Sequence, residues 1–187
     1  MLNEFLALKP FDDSARRIAS RTLCSVALEH AESAKILIVA GNFTSAVGLL
    51  RLQYEALVRA IWLLYAASDV AVEKLAAELT DETAKKAERL PMLSEMLRQL
   101  DGKAPAEPLS MLLEFKQYSW KPLNSFIHGG IHAITRHSEG YPAPLLEQAL
   151  KASNGVSLMV GMLLVILAGD PANRGKISKL QIEFADC

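Results

Sequence analysis

Thr44–Ala67 reads TSAVGLLRLQYEALVRAIWLLYAA. Val47, Leu50, Tyr54, Leu57, Ile61, Leu64 and Tyr65 recur at spacings of three and four, which sets them on one face of an α-helix. So continuous an apolar stripe has to be buried against other helices. Beside it stand Arg51, Glu55 and Arg59, each four residues from the next, with Trp62 close by. On an exposed face such pairs contribute only about 0.2–0.5 kcal/mol each. Partial burial would instead make Arg51–Glu55 a paired polar site inside a cleft, and the neighbouring tryptophan favours that reading.

Upstream, Ile18, Leu23, Val26, Ala27, His30, Ala34, Leu37 and Ile38 keep helical spacing. That helix is expected to start near Asp12 or Asp13, where an aspartate caps free backbone N–H groups, and to stop at Gly41-Asn42. Downstream, Asp69–Leu79 reads as a short helix and Asp81–Leu100 as a charged amphipathic one, broken or kinked at Pro91. Asp101–Pro108 is the clearest loop. A helix from Leu109 to Trp120 is expected to stop at Lys121-Pro122. Asn124–His137 reads as a helix disturbed at Gly129-Gly130, Glu139–Pro144 as a loop, and Leu145–Ala168 as the closing helix. No strand-like alternation is sustained. The expectation is an all-α protein, a helical bundle of about five to seven helices. The 187 residues suit a single domain, with 1–11 and 170–187 as peripheral tails.

Apolar residues make up 51% and charged residues 22%, enough to build a core without disulfide or metal staples. Cys24 and Cys187 lie at opposite ends, which gives no support to a disulfide framework or a cysteine-rich metal site. The N-terminus lacks the basic lead and sustained apolar run of a secretory signal, so a cytoplasmic location is the default. A net charge of −1 and a pI of about 6.4 argue against a general nucleic-acid coat, though not against a cleft that touches one or two phosphates. Ala152–Gly169 carries no charge, but its strongly apolar part, Val156–Ala168, is short for a membrane span. A buried central helix is expected. Having no polar face, it must be covered on all sides, by the bundle or by a second copy of the chain, and a homodimer follows as an expectation.

Phosphate loop, nucleophile elbow, zinc-protease helix and dinucleotide fingerprint are all absent, and no cofactor is implied. Three of the four histidines, His128, His132 and His137, fall within ten residues. In a continuous helix His128, His132 and Arg136 would share a face. One reading makes His128 and His132 metal ligands of a metal-dependent hydrolase, with Glu55 or Glu139 brought in by the fold. A second makes the face a phosphate-facing acid–base site, in which imidazoles move protons and Arg136 stabilises negative charge. The plain alternative has His128 hydrogen-bonding in a turn while His132 and His137 are solvated. Gly129-Gly130 signals a special dihedral or close helix packing, since glycine inside a helix costs on the order of 1 kcal/mol against alanine.

Leu123-Asn124-Ser-Phe-Ile-His128 resembles the signature of the HEPN superfamily, small helical bundles of prokaryotic toxin–antitoxin, abortive-infection and other anti-phage systems. Their motif is an arginine, commonly followed by a polar residue such as asparagine, with a histidine a few residues later near the start of a helix. Asn124 and His128 match, while Leu123 holds the arginine position. Active members are metal-independent ribonucleases whose sites form across a dimer cleft. The resemblance therefore implies His128 as the proton-transfer residue and Asn124 as its polar support. Lys121, Arg51 or Arg136 would have to supply the missing cation, with Lys121 the weaker substitute because it lacks a planar fork. It also implies a cleft of Arg51, Glu55, Asn124 and His128, with Lys121, Arg136 and His132 as phosphate contacts. Degenerate members are binding or scaffold modules. Such a module, with RNA or a cognate protein as partner and no membrane, is the reading favoured here over the ribonuclease.

Overall fold

A computed structural model describes residues 3–169, together with Asn173, Gly175, Lys179 and Ile182 from the tail. Its centre is the helix anticipated at Thr44–Ala67, which runs from Phe43 to Tyr65. Among the described residues the architecture is all-α, with nine helices rather than five to seven. Two expected segments, Asp81–Leu100 and Asn124–His137, each divide in two, and a short helix is added at the start. The helices are α1 (Asn3–Leu6), α2 (Ala15–Val39), α3 (Phe43–Tyr65), α4 (Asp69–Ala76), α5 (Asp81–Ala87), α6 (Leu93–Gln99), α7 (Ala106–Ile127), α8 (Ile131–Glu139) and α9 (Ala143–Ala168).

The long hairpin of α2 and α3 forms the scaffold. Small residues on α2, Ser20, Cys24, Ala27, Ala31 and Ala34, are buried and let α3 approach closely. Helix α2 begins one residue after Ser14, not at Asp12 or Asp13. Asp12 instead accepts the Ser14 N–H at 3.0 Å and shapes the turn into the helix. Pro91 separates α5 from α6, and Thr80 with Thr83 forms a reciprocal capping box at the start of α5.

The closing helix α9, uncharged from Ala152 onward, packs across both arms of the hairpin through Val156, Val160, Leu163, Leu164 and Leu167. It is long and apolar enough to cross a membrane, and 56% of its most apolar window is buried within the bundle. Its register on α3 is set by a buried polar knot. Gln53 Nε2 donates to the Ser153 carbonyl and to Ser157 Oγ, both at 2.9 Å, while Ser153 Oγ donates to Gln53 Oε1 at 2.7 Å. Fully satisfied buried groups of this kind penalise any sliding that would orphan them. Of the two expected peripheral tails, 170–187 lies largely outside the described residues, and the first is tied down, although most of residues 4–11 stay at least partly exposed. Phe5 is buried, and the Phe11 N–H bonds the Leu167 carbonyl at 2.9 Å, closing the end of α9.

Three expectations about the α7–α8 region fail. The loop at Asp101–Pro108 is shorter, because α7 starts at Ala106 and Pro108 sits in its first turn, where a missing N–H removes no intrahelical bond. The helix also does not stop at Pro122 but continues through it to Ile127. An interior proline costs about 3 kcal/mol; burial of Leu112 before it and Leu123 after it holds the helix together across the defect. The true break comes at Gly129–Gly130, so Asn124–His137 is not one helix.

Candidate functional site

Continuation of α7 through Pro122 puts Trp120, Asn124 and His128 at four-residue steps along one side of it. That side meets Arg51 and Glu55 of α3. Arg51 Nε donates to Glu55 Oε1 at 2.7 Å, and Nη1 donates to Asn124 Oδ1 at 2.5 Å. The same Nη1 lies 3.2 Å from His128 Nε2. The guanidinium carbon sits over the Trp120 ring, 4.5 Å from its centroid. Arg51 and Glu55 side chains are 14% and 28% exposed, a partly desolvated pair at the edge of the bundle.

Behind the pair lies an aromatic wall. Tyr54 stacks on Phe115 at 4.4 Å between centroids and meets Trp120 edge-on at 6.4 Å. Its hydroxyl donates to the Leu112 carbonyl at 2.6 Å, and burial pushes the phenol above its ordinary range. Tyr54 is thus a structural donor beneath the site.

His128 caps the end of α7 and is exposed. The next residue, Gly129, adopts φ +64°, and the Gly130 N–H returns to the Ser125 carbonyl at 2.8 Å, a Schellman closure. Ser125 Oγ accepts the His132 N–H at 3.0 Å, and a Cβ at Gly130 would fall 2.6 Å from that oxygen. One glycine supplies a left-handed dihedral and the other supplies space. The turn places His128 at a helix C-terminus, not near a helix start.

Geometry also dictates the proton arrangement. Arginine only donates, so His128 Nε2 accepts from Arg51, and the neutral ring carries its hydrogen on Nδ1. Asn124 must likewise turn its oxygen to the guanidinium and its amide nitrogen away. The Nη2 hydrogens of Arg51 have no acceptor among the described residues, and Nη2 is not sealed from solvent. Arg51 and Glu55 cancel in formal charge.

Other candidates lie elsewhere. Lys121 is exposed, His132 is exposed in the first turn of α8, and neither side chain bonds the Arg51 cluster. His128 and His132 stand on either side of the Gly129 turn, so they do not form the i,i+4 pair of a metal-binding helix. Among the described residues no three His, Cys, Asp or Glu side chains converge on a metal-sized site. Arg136 lines a separate cavity of about 260 Å³ with His137, where Thr44 Oγ1 lies 3.2 Å from His137 Nδ1 and accepts the Tyr141 hydroxyl at 2.8 Å. Arg59 does not pair with Glu55, and Trp62 is wholly buried, donating to Gln99 Oε1 at 2.7 Å. The tryptophan beside the charged row is Trp120. Its position four residues before Asn124 is the signal, legible only when the helix runs through Pro122.

No curated protein and no solved structure matches this chain. Residues 24–187, which include the whole Arg51–Trp120–Asn124–His128 cluster, match the model of DUF6988, a family of unknown function, and the chain belongs to that family.

Proposed function

We propose that this chain is a HEPN-like binding module of a bacterial defence or toxin–antitoxin type system, which holds a phosphate of single-stranded RNA at Arg51, Asn124 and His128 without cleaving it. One observation carries this reading: the Nε2 lone pair of His128 is already taken by Arg51. A general base needs that lone pair for the attacking hydroxyl. Arg51 in turn is neutralised by Glu55, which leaves a directional donor edge rather than a strongly basic cleft. The donors offered are the Arg51 Nη2 hydrogens, the His128 Nδ1–H and the Asn124 amide. A homodimer in the cytoplasm is part of the same reading; α9 carries no charge from Ala152 to Gly169, and Ile166 on it remains exposed.

A second reading, the metal-independent ribonuclease, has its own support. A guanidinium does stand within hydrogen-bond distance of His128, although it comes from α3 while Leu123, at the motif position, is buried in the core. Purified protein incubated with single-stranded RNA, with and without a chelator, separates the readings. The module predicts intact RNA and salt-sensitive binding that Arg51→Gln abolishes. Cleavage that survives the chelator and disappears in His128→Ala would establish the ribonuclease, and cleavage lost to the chelator would establish a metal-dependent hydrolase.

A further inference from the structure

A second cavity, of about 470 Å³, lies between α2, α3 and α4, away from α7. Its volume falls within the roughly 300–1,000 Å³ of small-molecule sites. Ile18, Leu23, Leu63 and Leu75 give it aliphatic walls, and Arg59 and Asp13 are its charged members.

Arg59 is unlike the arginines around it. Arg16 donates to the Leu63 and Ala67 carbonyls and to Asp69; Arg17 donates to Asp12 and the Leu167 carbonyl; Arg21 donates to the Leu6 and Leu8 carbonyls. Arg51 is held as described above. Arg59 alone among these makes no hydrogen bond or ion pair among the described residues, and its Nε is sealed from solvent without an acceptor. Buried polar groups are regularly satisfied, so the orphaned Nε marks an unusual arginine. Nη1 and Nη2 also lack an acceptor among the described residues and are not sealed, which leaves the end of the fork open to a ligand. The planar fork of arginine fits a carboxylate, and the aliphatic walls fit a hydrocarbon body. Asp13 shares the cavity without pairing to Arg59, and its charge opposes a second negative group.

We propose that this cavity binds a small monocarboxylate with an apolar body, the carboxylate seated on Arg59 and the body against Ile18, Leu23, Leu63 and Leu75. The site is independent of the Arg51 cluster.

Titration of the full chain with sodium octanoate, followed by ¹H–¹⁵N correlation spectra, tests it. Saturable shifts are expected at the amides of Ile18, Thr22 and Leu75. Octylammonium, with the same tail and the opposite charge, and adipate, with a second carboxylate, are each expected to bind at least roughly tenfold more weakly. Arg59→Met keeps an unbranched apolar side chain and removes the cation, so octanoate should weaken by a similar factor. The octanoate and octylammonium comparison uses the wild-type chain and holds whether or not that variant folds. Equal affinity for the two, wild-type octanoate binding by Arg59→Met, or no saturable shift up to about 10 mM octanoate would each overturn the proposal.

Discussion

Arg51 of α3 sits over the indole of Trp120 on α7, 4.5 Å from the ring centroid, and the same guanidinium bonds Glu55, Asn124 and His128. Cation, ring, carboxylate, amide and imidazole therefore form one unit that joins the two helices. Its orientation is set before any ligand arrives, which lowers the ordering cost of binding.

Removing the ring should test how far this stack holds the helices together. Trp120→Leu, Arg51→Met and the double variant, compared by urea unfolding, are expected to give a coupling of about 0.5–2 kcal/mol, the range of a partly desolvated cation–π contact. Strict additivity would show that the ring and guanidinium are only neighbours.

Glu55→Ala leaves Arg51 without its carboxylate. A fully buried pair loses about 3–5 kcal/mol when one partner is removed, and an exposed one under about 1 kcal/mol. With the two side chains at 14% and 28% exposure, screening by water puts the expected loss between these, at about 2 kcal/mol. An unchanged unfolding midpoint would place the pair on an ordinary solvated face.

The α7–α8 turn predicts different reasons for two adjacent glycines. Gly129→Ala should destabilise by about 1–2 kcal/mol through its left-handed backbone alone, since nothing lies within 4 Å of a Cβ there. Gly130→Ala has no dihedral problem but sets its Cβ 2.6 Å from Ser125 Oγ, so adding Ser125→Gly should recover part of its loss, while the Ser125 Cα at 3.3 Å and the lost bond to the His132 N–H keep the rest. Failure of that rescue would put the constraint elsewhere.

Acid should weaken the hold on α6, where Gln99, bonded to Trp62, also donates to Glu95 Oε1 at 2.9 Å. Hydrogen bonds from the Arg98 side chain, and then from Gln99, lower the Glu95 carboxyl from 4.5 to about 2. A group depressed on folding contributes stability above its unfolded value, which drains away as pH falls from about 4.5 toward 2. Glu95→Gln should therefore give a melting temperature that declines less steeply across that window. A wild-type slope in the variant would rule out Glu95 as a contributor.

Much of the bundle could be read from local pattern. The three- and four-residue spacing along α3 and the break at Pro91 both rest on short-range rules, and both recur in the structure. The Arg51-x-x-x-Glu55 step and the Asn124-x-x-x-His128 step were legible too, because four residues bring side chains to one side of a helix. Trp120 does not follow from local pattern, because Pro122 reads as a stop and leaves Trp62 as the tryptophan nearest the charged row. That rule describes an isolated helix; here burial of Leu112 and Leu123 outweighs one lost hydrogen bond.

Local pattern is enough to show that this chain is helical, which side of α3 is apolar, and that Arg51 and Glu55 lie one turn apart, since each depends on residues within a few positions of one another. Tertiary structure alone decided that Arg51 meets Asn124 and His128, that Arg59 faces a different cavity without a partner, and that Gly129 ends α7 before His132 can join His128. Those outcomes depend on how α3, α7 and α4 pack, and packing is set by volumes and crossing angles summed over the whole core, which no local spacing records.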